Sequence, residues 1–330
     1  MRCHLALRVL AALLLFFAVG LRSGELAASA PPLITAPRIT APFITPPFVA
    51  PIIEVAPGDY VRVGETAEAT AENRDGIANT GFIVGDAAVA VVDPGGSLAD
   101  GQSLRAEILS RTSLPIRYVI MTHDHPDHVF GGRAFSADHP VFVGSWRLPA
   151  GMADRAAYDH ARLSGVLGEA ATGAPVPPTM LVRNATTLDL GGRVLVLQAH
   201  ATAHTGDDLT IYDRTSRTLW AGDLLFVGRV PALDGSLKGW LHVLDEIEAI
   251  PAIRAIPGHG PASVPWPQGD ADERRYLTVL LHDVRAAIAA GQDIDKAAAT
   301  AAASEHGKWA LFDAYNGRNV TEAYKELQWE

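Results

Sequence analysis

Short apolar runs separated by turn-forming residues fill the middle of the chain, and apolar residues at helical spacing fill its end. Residues 82–84 and 87–92, joined at Gly85-Asp86, predict a β-hairpin ending in Asp93-Pro94-Gly95-Gly96. Ser97 suits a helix N-cap, and Leu98, Leu104, Ile108 and Leu109 make an apolar face that runs to about Arg111. A strand over 116–121 leads straight into Thr122-His123-Asp124-His125-Pro126-Asp127-His128. Another follows over 140–143, before a helical stretch to about Gly165. Gly191-Gly192 turns a hairpin between 187–190 and 193–198, and residues 209–212 pair with 218–221. Leu237, Trp240, Leu241, Leu244, Ile247 and Ile250 recur at helical spacing, so core packing accounts for Trp240 better than substrate stacking does. A strand over 253–256 then brings the chain to Gly258-His259-Gly260 and a largely helical end. Hairpins with helices inserted between sets of them predict two mixed sheets packed face to face and flanked by helices, an αββα sandwich of the α/β class. The domain is expected over 59–265, with 266–330 as a helical extension packed on it.

Upstream the pattern changes. Arg2 and Arg8 precede an apolar run over 9–21, the length of a signal core and too short to span a bilayer comfortably. Ala28-Ser29-Ala30 offers a cleavage pattern, so residues 1–30 read as a signal peptide and the mature protein as periplasmic or secreted; an uncleaved anchor is the alternative. Residues 31–58 cycle through Leu33-Ile34-Thr35-Ala36-Pro37, Arg38-Ile39-Thr40-Ala41-Pro42 and Phe43-Ile44-Thr45-Pro46-Pro47. Proline at that density fixes φ and removes donors, which predicts an extended linker. Cys3, the only cysteine, lies inside the signal, so any metal site in the mature chain must use histidine and carboxylate.

With 330 residues and 48% hydrophobic content the chain can bury a sizeable core. Its formal net charge of -10 and the lack of clustered Lys and Arg argue against nucleic acid as a partner and leave a small-molecule substrate.

The chemistry concentrates in the loop after residues 116–121. Side chains two apart in an extended segment point the same way, so His123 and His125 can grip one ion. Pro126 keeps His125 out of the helical region. Asp127 and His128 fall where the chain begins to curl and can face a second ion. A catalytic zinc site takes three such ligands and leaves a position for water, so more must come from elsewhere. His204, Asp223 and His259 each follow a predicted strand, beside a small residue that permits a tight turn.

These motifs together resemble the metallo-β-lactamase superfamily of hydrolases, with its HxHxDH loop, later His, Asp and final His, over roughly 60–261. The resemblance implies that His123, His125 and His204 hold one zinc ion, that Asp127, His128 and His259 hold a second, and that Asp223 bridges them. Asp93 resembles the family's aspartate that backs the ligands. It also implies hydrolysis by metal-activated water acting on a small ester, thioester, amide or lactam, with Asp127 orienting the water or passing a proton. Zinc suits the donor set, with iron or manganese as alternatives. Ala221-Gly222-Asp223-Leu224-Leu225-Phe226, Arg229-Val230-Pro231, Leu233-Asp234-Gly235-Ser236 and Lys238-Gly239-Trp240 resemble a periplasmic subgroup associated with quinoprotein dehydrogenase systems. Alternative readings are a true β-lactamase of the all-His/Asp type, a phosphodiesterase that the acidic balance disfavours, and a metal-binding accessory protein of such a dehydrogenase system that does not turn over substrate.

Around the motifs several roles stay open. Asp207 and Asp208 either support a ligand imidazole or sit in a solvated turn. His200 reads as a strand-end histidine without a role. The stretch 226–238 is a fixed wall or a lid, with Arg229 or Lys238 available to pair an anionic substrate.

Overall fold

Residues 50–330 are described by the structure, a computed structural model, and they fall within one contact unit that begins at Thr45. The residues read as an export signal, Cys3 among them, and the expected linker up to residue 49 lie outside the described residues. No described helix is long and apolar enough to cross a membrane.

The first sheet runs β1 (Ile52–Ala56), β2 (Asp59–Arg62), β3 (Thr80–Val84), β4 (Val89–Val92), β5 (Ile116–Ile120), β6 (Val141–Ser145) and β7 (Met180–Val182), in that spatial order. It is antiparallel as far as β4 and parallel from β4 to β7. The second sheet has the order β13-β12-β11-β10-β9-β8, from β8 (Ala185–Asp189), β9 (Val194–Ala199), β10 (Leu209–Asp213), β11 (Thr218–Phe226), β12 (Arg254–His259) and β13 (Val264–Pro265). Only β11 and β12 pair in parallel within it. The helices are α1 (Leu98–Arg111), α2 (Pro126–Val129), α3 (Leu148–Leu167), α4 (Glu169–Thr172), α5 (Leu237–Glu248), α6 (Ala271–Ala289), α7 (Ile294–Thr300) and α8 (Phe312–Leu327).

Strand periodicity sorts the apolar residues into layers. Along β4, Ala90 and Val92 face inward and meet Leu195, Leu197, Ile211 and Trp220 of the second sheet. Val89 and Val91 point the other way, onto Leu104 and Ile108 of α1 and Leu148 and Leu163 of α3. On the far side Phe226 and Ala255 pack with Trp240 of α5, Tyr276 and Leu277 of α6 and Val320 of α8. The expected αββα sandwich of two mixed sheets flanked by helices is the observed architecture. Ser97 does cap α1, accepting from the Asp100 backbone N–H, whereas Leu109, placed by periodicity on the buried face, is half exposed.

One boundary differs from expectation. The folded chain begins before Tyr60: β1 lies inside the stretch assigned to the linker, because residues 52–56 carry no proline and pair antiparallel with β2 around Pro57-Gly58. The C-terminal helices pack on the domain: Tyr276, Leu277 and Val320 share one core with Phe226 and Trp240, so residues 266–330 complete the second flanking layer.

Candidate metal centre

Parallel pairing puts the C-terminal ends of β4 and β5 on the same rim, and those of β11 and β12 likewise. Asp93 ends the first of these strands, with φ of 53° in the left-handed region. Its carboxylate accepts the Thr122 backbone N–H at 2.8 Å and the Thr122 hydroxyl at 2.8 Å, and lies 2.8 Å from His128 Nδ1. One carboxylate thus fixes both ends of the His123–His128 loop.

Asp223 arrives differently from expectation. It does not follow a strand that stops at Ala221, because β11 continues to Phe226. The pairing with β12 shifts register at Gly222, whose φ is +55° and whose added β-carbon would lie 2.8 Å from Thr122 Cβ. Only glycine suits that bulge, and the bulge lets a side chain in mid-strand face the rim. Gly258 serves the same end, since a β-carbon there would collide with Asp223 Oδ1. His259 is the last residue of β12, and His204 sits in the loop between β9 and β10.

The seven sequence-predicted side chains come together as two groups of metal-capable atoms, His123, His125, His204 and Asp223 in one, Asp127, His128 and His259 in the other. Each imidazole has one nitrogen engaged at the back. His123 Nδ1 is 2.9 Å from Thr122 Oγ1, His128 Nδ1 2.8 Å from Asp93, His204 Nδ1 2.6 Å from the Ala232 carbonyl, and His259 Nδ1 2.9 Å from the Ile77 carbonyl. His125 is turned round: its Nε2 meets Asp234 Oδ2 at 2.9 Å, leaving Nδ1 to face inward. Back-side acceptors of this kind fix tautomer and ring orientation in metal-ligating histidines.

The inner atoms converge on Asp223. Its Oδ1 is 3.1 Å from His128 Nε2, and its Oδ2 lies 3.4 Å from His204 Nε2, 3.4 Å from His259 Nε2 and 3.7 Å from His123 Nε2. Asp127 Oδ2 is 3.3 Å from His259 Nε2. A metal-ion pair fits this donor set on two counts. His123 Nε2, His128 Nε2 and Asp223 Oδ1 are buried with no hydrogen-bond partner, a costly state that a cation relieves. His125 Nδ1 and His204 Nε2, whose other ring nitrogens are engaged at the back, face each other at 3.0 Å, close enough to serve one cation together.

Electrostatics without the ions follow the same crowding. Burial, then the neighbouring His128, hold His123 well below the usual imidazole range, and burial with His125 brings His204 down to about 3. For His128 burial acts downward but Asp223, Asp127 and Asp93 outweigh it and push it well up. Burial would raise Asp223, yet His259, His128 and His123 hold it well below the carboxylate range; His128 and His259 do the same for Asp127.

The sequence model of the metallo-beta-lactamase superfamily matches residues 73–259. The chain belongs to this superfamily. A linear primary-alkylsulfatase of a Pseudomonas species is 22% identical over 207 residues, covering 52% of this chain and 39% of that protein. Among solved structures, the stereoselective inverting sec-alkylsulfatase Pisa1 from Pseudomonas sp. superposes with a TM-score of 0.62 at 19% identity, over 84% of this chain and 50% of that one. The metallo-beta-lactamase from Pontibacter korlensis does so with 0.55 at 18% identity, over 69% of this chain and 99% of that one. The chain therefore spans about half or less of the length of these alkylsulfatases, and the solved structures share its fold. Superfamily membership and the His/Asp cluster support a metal-dependent hydrolase.

Beyond the metal-facing residues, the site includes Asp234, whose role pattern reading passed over, and residues whose roles it had weighed. Asp234 supports His125 and also accepts from Arg155 at 2.9 Å, which holds its carboxyl far down against the upward push of burial. Its signal was the Leu233-Asp234-Gly235-Ser236 stretch, but nothing local says which histidine it meets. Asp207 and Asp208 are both buried. Burial pushes Asp207 up to about 7 and Asp208 to about 8, and Asp208 accepts the Thr205 hydroxyl at 2.7 Å, fixing the turn that carries His204. His200 bonds Thr210 Oγ1 at 2.9 Å in the second sheet. Trp240 is fully buried with its ring centroid 5.2 Å from that of His204, so it packs behind a metal-facing histidine.

Residues 226–238 form a wall and not a lid. Val227 N–H donates to the His259 carbonyl, Val230 N–H to Ala310, Asp234 N–H to His204 and Ser236 N–H to Ala203. Asn319 of α8 accepts the Leu233 N–H at 2.9 Å and donates to the Pro231 carbonyl at 2.6 Å. Lys238 pairs with Glu330 at 2.7 Å, away from the cleft.

Proposed function

We propose that this protein is a dizinc hydrolase that cleaves a small ester, a class taken here to include acyl, thioester and sulfate esters, in a cleft of about 290 Å3 above the metal centre. The observation that carries the reading is the set of five imidazoles, each engaged at the back and presenting one free nitrogen toward Asp223 or Asp127. His123, His125 and His204 would hold one ion, Asp127, His128 and His259 the other, with Asp223 between them. Zinc supplies a nucleophile at neutral pH by lowering the pKa of its bound water from 15.7 to about 7.

The protein's own groups do the rest. Asp93, Asp234 and the Ala232 and Ile77 carbonyls hold the rings so that no imidazole has to turn during the reaction. Asp127 lines the cleft, where its carboxylate can accept the proton of the attacking water and hand it to the leaving group. Phe226 and Leu233 line the same cleft and limit the water around the reacting bond.

The alkylsulfatase relatives support ester cleavage, and the lactamase neighbours keep a lactam as the second reading. The N-terminal sequence supports export to the periplasm, where service to a quinoprotein dehydrogenase system would be one setting for the activity. Elemental analysis should find two zinc ions per mature chain. A panel of nitrocefin, a thioester, a bis-aryl phosphodiester and an aryl sulfate separates the substrate classes. Asp127→Asn should keep the first metal and lose about 10²–10⁴ in turnover. A zinc-loaded protein silent on the whole panel would favour the non-enzymatic accessory role, and unimpaired turnover in the Asp127 variant would remove the proton-transfer step.

A further inference from the structure

One more imidazole is built like those of the metal centre, and it points elsewhere. His200 directly follows β9, its side chain is fully buried, and its Nε2 lies 2.9 Å from Thr210 Oγ1. Its backbone N–H donates to the Asp208 carbonyl at 2.9 Å, so ring and backbone are both fixed. The other ring nitrogen, Nδ1, is sealed from solvent and has no hydrogen-bond partner among the described residues. With Nε2 engaged by Thr210, Nδ1 is the nitrogen available to a cation.

What Nδ1 faces is α5. Glu246 Oε2 lies 3.6 Å from it, and Glu246 Oε1 lies 3.4 Å from Nε2 of His242, one turn back on the same helix. Both separations exceed the roughly 2.7–3.2 Å of an N–H···O hydrogen bond. They suit two donors on one tetrahedral zinc ion, which stand roughly 3.4 Å apart when each bond is about 2.0–2.1 Å. Among the described residues no Lys or Arg pairs with Glu246, whereas Asp245 and Glu248 on either side of it are both bonded to Arg274. A His and a Glu four residues apart on an exposed helix face are ordinary neighbours. Helix geometry does not account for a buried imidazole from another element aimed at the same carboxylate.

We propose that His200, Glu246 and His242 form a mononuclear site for a zinc-class divalent cation, distinct from the two groups of ligands around Asp223. Two imidazoles and a carboxylate are a three-ligand zinc set with a position left for water, and nitrogen donors select zinc, copper or nickel over calcium and magnesium. Glu246 and His242 are exposed, so their side chains can close on an ion that the buried His200 fixes in place. Such an ion ties α5 to the segment 200–208. The two already meet at the start of the helix, where Ser236 N–H donates to the Ala203 carbonyl and a β-carbon at Gly239 would collide with the Thr202 carbonyl. A second tie in mid-helix holds Trp240 against His204, which the same segment carries. The ion is a staple beside the reaction centre and takes no part in the reaction.

Zinc bound per chain is measured on untagged mature protein by equilibrium dialysis and elemental analysis, over free zinc concentrations set by a chelator. Wild type should take up one ion beyond the two expected of the dinuclear centre, and at higher free zinc, because two of its three ligands are exposed. Glu246→Gln, His242→Ala and His200→Gln should each weaken that last uptake by more than the roughly 10–100-fold that loss of a supporting partner costs, with the tighter ions unchanged. Filling the site should raise the urea midpoint of wild type and leave that of the three variants where it was. His160→Ala, which removes another histidine beside a carboxylate, should leave the count as in wild type. Should His200→Gln unfold, Thr210→Val, which removes only the hydroxyl behind the ring, should weaken the last uptake by about 10–100-fold. Wild-type uptake that ends with the dinuclear centre overturns the proposal. So does an extra ion held equally well by wild type, Glu246→Gln and His200→Gln, which would be an adventitious ion only. A dinuclear centre that stays empty leaves the test intact, because the variants are compared by the one ion they lose.

Discussion

On one side of the cleft, residues 122–128 carry four metal-facing side chains in one unbroken stretch, tied to Asp93 at the end of the adjacent strand. On the other, residues 226–238 carry none. That side holds its shape through Asn319, 86 residues further along, and through the pairing of 228–230 with Ala310. The first region is local and charged, and its cost of burial is met by metal. The second is assembled from remote parts, and its cost is met by backbone hydrogen bonds to a helix. The two regions meet through Asp234 at His125 and the Ala232 carbonyl at His204, so changes remote from those two contacts should disturb one region and spare the other.

The sharpest break comes from Asp223→Ala, which removes the carboxylate facing both groups. It should abolish turnover and leave less than two zinc ions per chain by elemental analysis; full occupancy would remove Asp223 from the bridge. Next comes Asp93→Ala, which frees Thr122 and His128 together. Supporting residues of this kind are worth about 10–100-fold in metal affinity, to be read by competition with a chelator.

A smaller and different effect is expected on the wall. Asn319→Ala orphans the Leu233 N–H and the Pro231 carbonyl at about 1–3 kcal/mol per buried group, lowering the urea midpoint. Zinc affinity should stay within a few-fold of wild type, and a loss as large as that of Asp93→Ala would merge the two regions.

A last effect concerns pH and is read on metal-free protein. Asp208 titrates near 8 when folded and near 4 when unfolded, so it is protonated in the folded chain and ionised in the unfolded one at pH values between. Unfolding then releases a proton. The stability from this group is complete below about pH 4 and declines as pH rises toward 8. Asp208→Asn, still able to accept from Thr205, should flatten that decline in metal-free protein, as read from urea midpoints across the range.

The same division explains what could be read from the residues in order. The loop His123–His128 announces itself because strand periodicity, Pro126 and donor spacing act within a few residues. The sandwich was legible from the short apolar runs of β3, β4, β9, β10 and β11 and the turn residues between them. Asp223 was identified, but its position in mid-strand was not, since a bulge at Gly222 depends on Thr122 lying opposite. The role of Asp234 was out of reach because its partners His125 and Arg155 are distant in sequence, and side-chain periodicity carries no information about such partners; β1 was missed although its partner β2 is adjacent, because it directly follows the proline-rich run. The C-terminal helices looked like an extension because their apolar faces say that they pack and not what they pack on.

Trp240 stands with its ring 5.2 Å from that of His204, sealed from solvent. An indole so placed is an optical reporter built into the protein. Loading the centre with cobalt, an open-shell ion that quenches nearby excited states at short range, would dim its emission, so occupancy of the neighbouring site could be followed by fluorescence without any added dye.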